Sequence, residues 1–253
     1  MITFNEYQIM SWLNPLIWPF IRALALLSML PVFNRRNTPN SVKVGLAFFI
    51  ALAIQPSIPP IPNVNLGSST AFILVVQQII IGFTMGFAVR LVFSCIEYAG
   101  ELIGMKMGLN FAGFFDPITA SQGTVATNLF SFMMAWTFVV INGHLIMFQA
   151  LSHSFNAFPI TASPFDFLSA VKPWEWGLEI FRLGFWISLP LLTALLFLNI
   201  LMGIVSKVAP TVQIFSVGLP FTLIIGLIGL WFLIPTLGRP FAYTLEKILT
   251  TMN

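Results

Sequence analysis

The sequence predicts an all-α, multi-helix integral membrane protein with about six long apolar helices, and three observations carry that prediction. Hydrophobic residues fill 58% of the 253 positions, above the roughly 45–50% that soluble domains reach even with glycine counted. Charged residues are only 8%, too few to cover the surface of a water-soluble globule of this length, and the mean hydropathy is +0.93. Six stretches are long and apolar enough to span a membrane or lie fully buried, given that a span needs roughly 20 residues.

The first stretch runs from Trp12 to Phe33 and ends in the polar turn Asn34-Arg35-Arg36-Asn37-Thr38-Pro39. The second, Val42–Ile58, stops where Pro56, Pro59, Pro60 and Pro62 crowd together, since proline removes a backbone donor and clashes with the preceding turn. Phe72–Ile96 and Val125–Phe148 follow, and the connection Asn156–Trp176, with Pro159, Pro164 and Pro173, reads as an irregular excursion. Leu178–Ile204 and Ile214–Thr236 complete the set, and an amphipathic piece, Phe241–Met252, closes the chain.

Charge gives a weak topology signal. Arg35, Arg36, Lys43, Lys106 and Lys207 agree with a cytoplasmic first loop by the positive-inside rule, whereas Lys172, Arg182, Arg239 and Lys247 fall on the other side. Either a few early charges set the topology, or the helices do not form an ordinary lipid-embedded bundle. The net charge is +3, and its basic residues form no aromatic-interleaved cluster of the kind that binds nucleic acid. Cys95 is the only cysteine; it excludes an internal disulfide or multi-cysteine metal site and reads as a buried thiol. Residues 1–6 lack a basic n-region, so insertion is expected to rely on the uncleaved apolar segments.

Arg22 stands mid-way along the first stretch. An arginine at a helix centre costs about 2.5–3.5 kcal/mol on insertion, so it is expected to face protein or water. It reads either as a pore or subunit contact, or as half of an internal ion pair with Glu97 or Glu101. Gly82 and Gly86 lie one helical turn apart, as do Gly100, Gly104 and Gly108, and such spacing lets another backbone approach closely. Packing within the chain is expected at Gly82 and Gly86. For the second stripe, with Glu97, Glu101 and Lys106 beside it, a plain lipid-facing helix is not expected.

The segment Glu97–Pro117 opens with that glycine spacing and two acids, then becomes rich in methionine and phenylalanine before Asp116-Pro117, where the residue before proline leaves the α region. Methionine is flexible and seals against surfaces of changing shape, whereas phenylalanines in a loop need burial. The chemistry suits a deformable hydrophobic plug or a re-entrant loop buried in the protein interior.

This segment is similar to the hallmark of the FliR family of type III secretion export-gate subunits, and three further matches accompany it. Pro31-Val32-Phe33 with Arg35 and Pro39 resembles the family's first loop, Asn142-Gly143-His144 its fourth-helix motif, and Ala209–Pro220 its late hairpin turn. The matches run from Arg22 to Pro220 in the family's order. One departure is visible: Gln213 stands where the family usually has asparagine, and Thr211 where a glutamine is usual, which touches only the hydrogen bonding of that turn.

The resemblance implies a FliP-like front part over residues 1–176 and a FliQ-like helical hairpin with a C-terminal amphipathic segment over 177–253, turned at Pro210 with Gly218 and Pro220 nearby. It implies partnership with FliP and FliQ, and with FlhB, in a pore that passes unfolded export substrates. That assembly is held in the bacterial inner membrane within the flagellar basal body, partly on the periplasmic side of the membrane plane. Carried over by position, the plug loop is 104–116, with Met105, Met107, Phe111, Phe114 and Phe115 as occluding side chains and Lys106 and Asp116 as flanks. Arg22, Glu97, Gly100, Glu101, Gly104 and Gly108 become packing or subunit contacts. The equivalent subunit of a virulence secretion system shares these features.

No cofactor and no enzymatic activity is expected. His144 and His153 are the only histidines, and neither a Gly-x-Ser-Gly nucleophile motif nor a His-Glu-x-x-His zinc motif accompanies them. His144 is expected to be a structural residue at a helix end. A solute transporter is the remaining rival, since Arg22, Asn128, Asn142 and Asn199 are polar groups of the kind that line a transport path. No internal repeat supports it, and polar contact between helices is the simpler role.

Overall fold

The computed structural model describes residues 6–33, 38–60, 64, 67–109, 125–160, 176–208 and 214–238. Among them are seven α-helices: α1 (Glu6–Met29), α2 (Asn40–Ile54), α3 (Ser69–Met107), α4 (Val125–Val140), α5 (Gly143–Ala157), α6 (Gly177–Val208) and α7 (Ile214–Leu233). Short 3-10 turns at Gln55–Ser57 and Ile234–Thr236 follow α2 and α7, and no strand occurs among the described residues. Arg35, Arg36, Phe111, Phe114, Phe115, Asp116, Pro210 and the segment Phe241–Met252 lie outside the described residues.

Two boundaries differ from the sequence expectation. The third stretch does not stop at Ile96 but continues as one 39-residue helix to Met107, about 58 Å at 1.5 Å per residue. The fourth is two helices. Asn142 adopts φ 56° and ψ 31°, a left-handed conformation that asparagine tolerates better than most residues, and the backbone leaves α4 there before α5 begins. Gly218 and Pro220 lie in the second turn of α7 rather than in the hairpin turn. By length and composition α3 and Ile180–Val208 of α6 can each cross a membrane, and α4 with α5 adds a third span if the broken pair counts as one.

The chain forms two compact units. The first contains α1, α2, α5 and α3 up to Arg90. Trp18, Ala23, Leu26, Leu27 and Leu30 of α1 and its exit are fully buried there, as are Ile81 and Ala88 of α3 and Leu151 of α5. The crossing of α1 and α3 depends on Gly82 and Gly86. A Cβ on Gly82 would fall on the carbonyl oxygen of Arg22, and one on Gly86 would lie 2.6 Å from the carbonyl oxygen of Leu26 and 2.7 Å from Cβ of Met29. The glycine pair therefore packs within the chain, as its spacing predicts.

The second unit contains the remainder of α3 with α4, α6 and α7. Phe93 meets Phe138 edge-on at 5.8 Å between ring centroids, and Tyr98 meets Phe181 at 5.4 Å. Gly184 of α6 lets that helix approach the carbonyl of Cys95, where an added Cβ would stand 2.6 Å from the oxygen. Cys95 is buried and free. α6 and α7 pack against each other, with the Leu191 side chain against Gly229. The compact units do not coincide with the sequence halves 1–176 and 177–253, because the hairpin packs with residues 91–141.

Candidate functional site

The C-terminal half of α3 gathers seven of the residues singled out in the sequence: Glu97, Gly100, Glu101, Gly104, Met105, Lys106 and Met107. Glu97 and Glu101 are one turn apart and project on one face, where like charges at that spacing are mildly repulsive. α4 presents hydroxyls at the same spacing. Ser131 Oγ donates to Glu97 Oε1 at 2.9 Å, and Thr127 Oγ1 donates to Glu101 Oε2 at 2.7 Å. A hydrogen bond to a charged acceptor contributes about 1.5–3 kcal/mol, enough to outweigh the like-charge term of a few tenths. Between the two rungs, Gly100 leaves room for Phe130, whose ring and Cβ would lie 3.0–3.2 Å from an added methyl. Phe130 and Ala126 are each 1% exposed. Gly104 is buried on the same helix.

The end of α3 is equally specified. Met107 is fully buried, with its side chain in the notch left by Gly226 of α7. Thr222 Oγ1 bonds Leu219 O at 2.9 Å and stands 3.5 Å from Met107 O. Gly108 then takes φ 78°, which only glycine adopts without cost, and its N–H donates to Met105 O at 3.2 Å. This closes the helix in the manner of a left-handed cap. Two readings of the segment change accordingly. Gly104–Met107 are helix rather than loop, and Met107 is buried within the chain. The small-residue stripe ends at Gly104, because Gly108 serves backbone conformation. Met105 and Lys106 are exposed.

Arg22 belongs to the first unit, where it is fully buried and reaches three segments. Nε donates to Gln78 Oε1 at 2.8 Å, Nη1 to Ser154 Oγ at 2.8 Å, and Nη2 to Phe158 O at 3.1 Å. The guanidinium also lies over the Phe155 ring, 3.7 Å from its centroid, a favourable cation–π distance. Behind it Gln78 Nε2 donates to Gln77 Oε1 at 3.2 Å. The ion pair with Glu97 or Glu101 is thus replaced by neutral partners: dipoles and a π face satisfy the cation, and the two acids satisfy hydroxyls instead.

The partners Thr127, Ser131, Gln78, Ser154, Phe155 and Gly226 are the residues that sequence reasoning missed. For the α3–α4 contact a signal existed, in acids at 97 and 101 matched by hydroxyls at 127 and 131. For Arg22 none did.

Nothing described resembles a reaction centre. His153 borders a cleft of about 400 Å³ with Ser57, Gln149, Ser152 and Asn156, but no carboxylate is among its lining residues. His144 sits in the first turn of α5, edge-on to Phe148 at 6.5 Å. Among the described residues no group of His, Cys, Asp and Glu can hold a metal ion.

The sequence profile of the family described as bacterial export proteins, family 1, matches residues 13–248. The chain is 40% identical over 245 residues to the flagellar biosynthetic protein FliR of Pectobacterium carotovorum subsp. carotovorum, covering 96% of this chain and 92% of that protein. It is 39% identical over 230 residues to FliR of Escherichia coli (strain K12), covering 90% and 87% of the two. With FliR of Buchnera aphidicola subsp. Acyrthosiphon pisum (strain APS) the identity is 32% over 253 residues, covering 100% and 98%.

Proposed function

The chain belongs to the bacterial export proteins, family 1, and from this we propose that it is a subunit of the flagellar type III protein export gate. The observation that carries the reading is the near full-length similarity to proteins named flagellar biosynthetic protein FliR. Those names favour the flagellar apparatus over a virulence secretion system. Its role is structural transport rather than enzymatic catalysis.

In this reading the chain joins FliP and FliQ, and meets FlhB, in the pore that passes unfolded substrates across the bacterial inner membrane. Residues 1–176 supply the FliP-like part and 177–253 the FliQ-like hairpin. The length of α3, about 58 Å against the roughly 30 Å hydrocarbon core, supports a helix that extends beyond the bilayer, and the resemblance puts that extension on the periplasmic side. The plug is the chain from the end of α3 to Asp116, rooted by buried Met107 and released at Gly108, with Met105, Phe111, Phe114 and Phe115 as its apolar surface. An apolar constriction closes a pore by dewetting, without a charged gate.

Deleting Leu109–Phe114 tests the plug. The expected result is a complex that still contains FliP and FliQ but dissipates the membrane potential of idle cells. Loss of assembly would make the segment part of the folded interior, and an assembled, tight complex would rule out the plug.

A further inference from the structure

One face of α1 carries Asn14, Trp18 and Arg22 at successive turns. Arg22 finds three acceptors, but the other two side chains are incomplete. Asn14 is 3% exposed and Trp18 0%. The Asn14 amide nitrogen donates to Val64 O at 3.2 Å. A carbonyl only accepts, so this bond fixes which end of the amide faces Val64. Among the described residues, neither the remaining Asn14 Oδ1 nor Trp18 Nε1 has a hydrogen-bond partner. Val64 also packs against the cluster of Trp18, Ala71 and Leu74, so both side chains border the same wall.

The backbone adds a third group. Pro15 and Pro19 both lie inside α1, and Pro19 is buried. Proline has no N–H, so the carbonyl of Pro15 loses the helical donor that residue 19 would supply, and the ring crowds that carbonyl and loosens the turn. Residues 14–19 thus hold one donor, the indole N–H, and two acceptors, Asn14 Oδ1 and Pro15 O. A buried polar group without a partner is costly, and three of them fall within about one turn and a half of helix.

We infer that residues 14–19 of α1 form a binding site for one buried water molecule, which accepts from Trp18 Nε1 and donates to Asn14 Oδ1 and Pro15 O. The count selects this ligand. Water brings two donors and an acceptor to two acceptors and a donor, and three bonds are usual for a buried water. Side chains four residues apart on a helix have Cβ atoms about 5–6 Å apart, a span that two hydrogen bonds of about 2.8–3.0 Å can bridge. A cation would meet the indole N–H, an anion would meet the two oxygens, and neither finds a counter-charge in this set. A partner chain has no access, because Asn14 Oδ1 and Trp18 Nε1 are buried within the first unit. Ordered water is also a general means of satisfying carbonyls that proline frees in apolar helices. The site is independent of the gate reading. Its effect is to brace α1 across its proline turn and, through Asn14, to hold Val64 against the helix.

The test uses the full chain in the complex purified from membranes and reads two quantities. One is a density map of the unsubstituted complex at a resolution that shows ordered water. An isolated peak is expected about 2.8–3.2 Å from both Trp18 Nε1 and Asn14 Oδ1. The other is the ultraviolet resonance Raman difference between the complex and its Trp18→Phe variant, which isolates this indole from the other tryptophans. The band that reports indole N–H bonding is expected at its hydrogen-bonded position, and Asn14→Leu is expected to shift it toward the free position, because the water then keeps two of its three bonds.

A map with ordered side chains and no peak would overturn the inference. So would a protein atom in that place, or a direct bond between Trp18 and Asn14. A free indole N–H in the unsubstituted complex, or a band that Asn14→Leu leaves unmoved, would overturn it as well. The map needs no variant, so it decides even where the substituted chains fail to assemble.

Discussion

A guanidinium taken fully out of water loses its hydration, and the loss is tolerable only where its donor edges find oxygens. Arg22 meets that condition with three neutral acceptors and an aromatic face. The sequence said that this arginine needs protein around it, because an isolated cation on an apolar helix is costly. It did not say which protein: Gln78 and Ser154 lie 56 and 132 positions away, and no periodicity links them to Arg22. Carboxylates were the formal complement, and the structure uses them elsewhere. The planar fork gives a sharp expectation for Arg22→Lys. One ammonium cannot serve three divergent acceptors, so the variant should lose about 2–4 kcal/mol of stability, read as a lower melting temperature of the purified complex and a lower steady-state level in membranes. Arg22→Lys at unchanged stability would mean that the fork geometry is unimportant.

Helices show where local pattern suffices and where it fails. Gly82 and Gly86 were legible because helical spacing of small residues has one geometric consequence, close approach of another backbone. The length of α3 was legible only in part: the spacing of Gly100 and Gly104 is helical, but Glu97 and Glu101 end the apolar run, and the pattern does not show that Ser131 and Thr127 of α4 meet them. The break at Asn142 carried a turn signal in Asn142-Gly143, yet the apolar run on both sides masked it. Glycine substitutions separate these cases. Gly82→Ala would place a methyl on the Arg22 carbonyl, and backbone cannot move aside as a side chain can. A loss of about 1–3 kcal/mol is expected, as for other overpacked sites. Gly45→Ala is its control, since nothing lies within 4 Å of the added Cβ. There the better helix propensity of alanine should add up to about 1 kcal/mol. Melting of both variants in one purification decides the matter, and equal effects would reject close packing at Gly82.

At the scale of the whole chain, composition made the membrane class legible, but it could not say how much of the apolar surface meets lipid and how much meets protein. Of the most apolar window of α6, only 22% is buried by the chain itself, and Phe181, Trp186 and Phe197 are more than half exposed. On α7, Trp231 and Phe232 are 77% and 75% exposed. Contiguous apolar surface of this kind marks a protein or membrane contact. Lipid alone is a poor match for it. α3 is about twice as long as the hydrocarbon layer is thick, and the half-buried acids Glu97 and Glu101 would be expensive next to acyl chains. Neighbouring protein can meet both needs, by covering the aromatic faces and by supporting helix that extends beyond the bilayer. The chain expressed alone is therefore expected to aggregate or be degraded, and co-expression with FliP and FliQ to rescue it by mass action, since a partner that binds only the folded form stabilises that form. Membrane levels after arrest of synthesis, with and without the partner subunits, measure this directly. A long-lived, monodisperse chain in detergent without partners, melting cooperatively, would show that these surfaces are satisfied by lipid-like solvent and would count against the subunit reading.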